Sequence, residues 1–122
     1  MGYDVHIVRT EHWTDAAGDP ITKDEVDALV ASDPELSWSG RDWVDMSDDG
    51  GNRVTRYYAI LWKGEPCFFW RRDQITCSGP SEDQVGKMVE MAASIGARAR
   101  GDDGEVYRPD MWRAVYRGEL KE

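Results

Sequence analysis

A chain of 122 residues is long enough for one hydrophobic core and too short for two. Apolar residues make up 40% of it and charged residues 32%, a balance that excludes a disordered tract and suits a soluble globular domain. The net charge of −9, from 24 acids against 15 bases, repels nucleic acid and anionic membrane, so neither is expected as a partner and a basic one is.

In chain order, Tyr3 to Val8 alternates apolar and polar side chains and predicts a first strand, with Asp4 and His6 on one face. Thr10 to Pro20 is polar and carries Gly and Pro, which predicts a loop, with Trp13 as its anchor to the core. Thr22 followed by Glu25 forms a capping box inside an Ile21/Val26 hydrophobic staple, so a helix begins there. Val26, Leu29 and Val30 supply its apolar stripe, and Ser32-Asp33-Pro34 ends it. Leu36 to Met46 predicts one bent strand or two short ones, broken at Ser39-Gly40. Ser47 to Asn52 predicts a hairpin loop. Three strands follow between Arg53 and Ser78, joined by turns at Lys63-Gly64-Glu65 and Arg71 to Gln74. Ser81 and Gln84 form a second capping box before the stripe Val85, Met88, Val89, Ala92 and Ile95, and Gly96 closes that helix. Ala97 to Arg100 and Glu105 to Tyr107 predict a last small hairpin around Gly101-Asp102-Asp103-Gly104.

These elements specify an α+β class: a two-layer sandwich with an antiparallel meandering sheet and two helices packed on one face. Residues 1–108 form the domain, and 109–122 form a C-terminal tail with a short helix that packs on it. The middle strand, Tyr57 to Trp62, is apolar on both sides, so the face away from the helices is left to loops, to the tail or to another molecule.

No constellation announces chemistry. Asp4, His6 and His12 are the one grouping that begins an acid–base or metal site, but His12 lies in a loop of unknown path and the Asp4/His6 pair lacks a third partner; a strand histidine at the sheet surface is the better reading. Asp48-Asp49-Gly50 and Asp102-Asp103-Gly104 have turn chemistry without the distal Glu of a calcium loop, and no cofactor or metal is expected. Cys67 and Cys77 suit a reducing compartment, though on neighbouring strands they leave a disulfide geometrically open. The N-terminus shows no basic region before an apolar run, so a cytoplasmic protein is expected.

Aromatic residues carry the functional lead. Eight of the thirteen lie between Trp38 and Trp70, more than a single sheet–helix interface hides. Tryptophans within an acidic rim are the composition of a binding hot spot. The expected contact residues are Trp38, Trp43, Asp45, Asp48, Asp49, Trp70 and Asp73, on the sheet face away from the helices.

The segments Tyr3 to Arg9 with Trp13, Pro20-Ile21-Thr22, Ile95-Gly96-Ala97 and Gly101 to Tyr107 resemble a group of small stand-alone bacterial proteins. Some of that group are similar to immunity proteins of polymorphic or contact-delivered toxins. The resemblance runs from Met1 to about Tyr107 and leaves the tail outside. It implies a non-enzymatic protein that neutralises a basic toxin domain by occluding its active site. Two other classes stay open: a small-ligand protein or enzyme using Asp4, His6 and the aromatic sheet face, and a homodimer built on the open sheet face.

Overall fold

The computed structural model describes residues 3–47, 54–71 and 73–119, with side chains over 3–39, 58–71 and 73–119. A seven-stranded antiparallel sheet organises it: β1 (Asp4–Val8), β2 (Leu36–Ser47), β3 (Val54–Trp62), β4 (Glu65–Arg71), β5 (Gln74–Ser78), β6 (Arg98–Gly101) and β7 (Val106–Tyr107). Their spatial order is β2-β3-β4-β5-β1-β6-β7, so a four-strand meander is followed by the first strand, inserted between β5 and β6. The class is α+β.

Local chemistry sets the joints. Lys63 and Gly64 both have positive φ, 53° and 84°, the backbone of a two-residue hairpin turn that matches strand twist. Pairing of β2 with β3 shifts register between Trp38 and Trp43, where the sequence puts Ser39-Gly40. A second shift lies between β3 and β4: Ile60 pairs with Phe68 and Leu61 with Pro66, which leaves Cys67 as the extra residue of a bulge.

Helix α1 (Lys23–Ser32) starts where Thr22 Oγ1 accepts from the Glu25 N–H at 3.2 Å, and it buries Val26, Leu29 and Val30. The Glu25 carboxylate turns to Arg9, whose guanidinium also donates to the Pro20 and Ile95 carbonyls. Helix α2 (Glu82–Ser94) has the complete Ser81/Gln84 capping box and buries Val85, Met88, Val89, Met91 and Ala92. Both stripes pack on one side of the sheet, in one cluster with Val5, Ile7, Ile60, Phe68, Ile75, Cys77 and Ala99.

Cover on the other side is partial. Cross-strand register lines up Ala59, Phe69, Thr76, His6, Arg100 and Val106 there. The expected loop contains a 3-10 helix, Trp13–Gly18, which lies over β1 and buries Ala16. The tail goes elsewhere. Helix α3 (Trp112–Tyr116) packs on α2, where Trp112 crosses Gly86 and Tyr116 donates to the Pro80 carbonyl at 3.2 Å. A Cβ on Gly86 would sit 2.8 Å from the Trp112 ring, so this crossing needs glycine.

Candidate functional site

The expected contact residues do not form one patch. Trp38 pairs with Ile60, and Trp70 with both Tyr58 and Ile75, which puts both tryptophans on the helix side of the sheet. This corrects the expectation that they face away from the helices: an apolar run such as Tyr57 to Trp62 gives no parity signal, and register decides the face. Both are half-buried against the core, each beside Tyr58, with ring centroids 6.2 and 6.0 Å from it. Trp70 Nε1 donates to the Ile21 carbonyl at 2.9 Å, and the Lys23 ammonium lies 4.8 Å from the Trp38 ring centre. Asp73 is on a different surface, in a cleft with Trp13, Arg71 and Gln74. Trp43 and Asp45 have register positions opposite Tyr58 and Arg56, and their side chains lie outside the described residues. Asp48 and Asp49 lie outside them entirely.

The histidine expected at the sheet surface is buried, with 3% of its area exposed. Trp13 stacks on the His6 ring at 4.5 Å with planes 4° apart, which closes it off from solvent. His6 Nδ1 lies 2.8 Å from Gln74 Oε1, and Nε2 lies 2.8 Å from Asp102 Oδ1. Gln74 donates its own N–H toward the Trp13 carbonyl, at 3.4 Å, so its oxygen faces the ring. Each ring nitrogen thus has a side-chain oxygen within hydrogen-bond distance. Burial works against the Asp102 carboxylate, but hydrogen bonds from His6 and from the Asp4 N–H outweigh it and hold its pKa below the usual value.

The rest of the Gly101–Tyr107 turn fastens the same place. Glu105 accepts from the hydroxyls of Tyr3 and Tyr107, and the Tyr3 hydroxyl accepts from the Asp103 N–H at 3.1 Å. Burial, together with the Glu105 carboxylate, pushes both phenols up. A Cβ on Gly101 would collide with the Glu105 carboxylate, so the motif is built for this fold-back. Asp102 is the third partner that the Asp4/His6 pair lacked in sequence. The sequence marked the Asp-Asp-Gly turn but not the pairing of Arg98–Gly101 with β1 that carries it back to Asp4. Asp4, His6 and Asp102 each offer a ligand atom within 4.8 Å of the others and, among the described residues, are the set that could hold a metal ion. A cation there would have to displace the His6–Asp102 hydrogen bond. His12 is exposed and outside the set.

A second polar centre was not anticipated. Lys87 interrupts the stripe of α2 and is only 4% exposed, yet its ammonium lies 2.7 Å from Asp33, 3.1 Å from Glu35 and 3.2 Å from Glu90. Burial pulls its pKa down, and the hydrogen bonds to Asp33, Glu35 and Glu90 more than offset this, leaving it above the ordinary lysine value. The same contact with Lys87 draws the Asp33 and Glu35 carboxyls below theirs. Beside it opens a groove of about 400 Å³ between the end of β3 and α2. Trp62, Val89, Ala93 and Pro109 give it apolar walls, and Glu35 and Glu90 give it an acidic rim. Trp62 Nε1 donates to Glu35 at 3.3 Å, and Lys63 lies over the Trp62 ring at 5.2 Å.

Searches against protein families, curated proteins and solved structures found nothing that matches this chain.

Proposed function

We propose that the protein is a non-catalytic, protein-binding module of the immunity type, which neutralises a basic toxin domain by covering its active site. The observation that carries this reading is the Glu35–Trp62–Glu90 groove, an apolar trough with carboxylates on its rim. Such a trough suits the aliphatic stem and cationic head of a Lys or Arg side chain from a partner. The charge of −9 supports it from a distance, because it steers a basic protein toward any face of this one. Burial of His6 beneath Trp13 weighs against the enzyme reading, since a substrate has no direct path to that ring.

The test is capture of the binding protein from source cells, followed by titration of its purified activity with the wild type and with Ala93→Arg. Ala93 is an exposed residue of the groove wall, so the variant fills the trough without touching the core. Stoichiometric inhibition by the wild type and a loss of at least about tenfold in the variant are expected. A captured protein whose activity is untouched by the wild type would sink the immunity reading. Equal inhibition by the variant would sink the groove.

A further inference from the structure

Cys67 and Cys77 meet on the helix side of the sheet. Cys77 pairs in register with Val5 and is buried in the core, whereas Cys67 is the half-buried extra residue of the β4 bulge. The two thiols are free, and the antiparallel register of Phe69 with Thr76 brings the β4 bulge alongside Cys77. A third group completes the arrangement. Gln84, third residue of α2, accepts the Ser81 N–H at 2.8 Å through its side-chain oxygen, which leaves its amide nitrogen to other partners. The contact with Cys77, helped by Gln84 and opposed by burial, lowers the Cys67 pKa. The same contact and burial raise that of Cys77. One thiol is thus accessible and held toward its nucleophilic form, and its neighbour is buried and protonated.

We propose that Cys67 and Cys77 form a redox-convertible pair, in which Cys67 attacks a low-molecular-weight disulfide and Cys77 resolves the adduct. In the first step the Cys67 thiolate bonds to one sulfur of oxidised glutathione, whose S–S bond breaks and releases one glutathione thiolate. In the second, Cys77 gives up its proton to that thiolate and attacks Cys67 Sγ, expelling the second glutathione. The protein loses two protons and two electrons, that is two hydrogen atoms, and the disulfide is reduced to two thiols. The product joins β4 to β5 through the bulge.

The experiment uses the reduced full-length chain with oxidised glutathione at neutral pH, followed by intact mass and peptide mapping. The wild type is expected to lose the mass of two hydrogens, with Cys67 and Cys77 cross-linked. Cys77→Ala should stop at one glutathione on Cys67, and Cys67→Ser should react at least about tenfold more slowly. A wild type that keeps both thiols, or that carries a stable glutathione on either cysteine, would overturn the proposal. Should Cys77→Ala fail to fold, alkylation of the reduced wild type decides: Cys67 must react before Cys77. Gln84→Glu, which sets a carboxylate beside the sulfur, must slow that reaction. Alkylation unchanged in Gln84→Glu would remove Gln84 from the device.

Discussion

His6 and Lys87 are both almost fully buried polar side chains, and they differ in what holds their partners. The partners of His6 come from β5 and the β6–β7 turn, and a stacked indole seals the ring. Of the partners of Lys87, Glu35 and Glu90 line the open groove, and the side chains of Asp33, Glu35 and Glu90 are 21%, 45% and 68% exposed. One centre therefore works as a fastener across the sheet, its ring sealed although the Asp102 side chain is 33% exposed. The other keeps carboxylates in solvent, where a partner's cation can compete for them. Burial of a polar group is not itself a sign of function; what differs here is that one centre borders an open groove and the other is capped by an indole.

That contrast can be broken at the fastener first. His6→Ala strands Gln74 Oε1 and Asp102 Oδ1 and leaves a void under Trp13, and is expected to cost roughly 3 kcal/mol. A denaturation midpoint equal to that of the wild type would show that the ring fastens nothing. Lys87→Met keeps the volume but leaves three carboxylates facing one another, partly screened by solvent; about 2 kcal/mol is expected at neutral pH. Asp33 and Glu35 have folded-state pKa values below their unfolded ones, so the stability they contribute is present above the unfolded values and is lost as pH falls through the folded ones. The gap between wild type and variant should therefore close on acidification, and a pH-independent gap in urea titrations would exclude the ion cluster as its source. Lys87 itself has a raised value, and its contribution disappears only in strong alkali.

Smaller effects sharpen the same picture away from both centres. Thr22→Ala removes the α1 cap and should cost about 1 kcal/mol in the midpoint of chemical denaturation. Gly86→Ala gains helix propensity of up to about 1 kcal/mol while displacing the Trp112 ring, so its net stability change should be the smallest. Its readout is limited proteolysis: cleavage between Arg108 and Glu119 should speed up, and an unchanged rate would mean the tail does not depend on this crossing.

Local signals in the sequence predicted local structure well. Thr22 and Ser81 cap the two helices as their spacing predicts, and Lys63-Gly64 makes the turn that its residues favour. Failures came where the deciding contact is remote. Asp102 meets His6 across 96 positions, and Gln74 across 68. Trp38 and Trp70 sit in a part of the sheet where apolar residues occupy both faces, so alternation could not say which side they take. Lys87 is the instructive miss: a charged residue inside an apolar stripe looks like its solvent edge until Asp33, Glu35 and Glu90 are brought around it.

The position of β1 also bears on how the chain reaches this fold. Both of its neighbours, Gln74–Ser78 and Arg98–Gly101, belong to the later part of the chain, so no local hairpin can hold it. The meander from β2 to β5 closes through short turns, whereas the slot for β1 is complete only after α2 has crossed and β6 has formed. Loop-closure entropy must be overcome before those pairings reward it, which makes docking of β1 a late and slow event. Until then its two edges are open templates for another chain, so refolding yield should fall as protein concentration rises. Pulse-labelled hydrogen exchange would see this directly, with amides of β3 and β4 protected before those of Val5 and Ile7. Simultaneous protection would mean that the sheet assembles in one step.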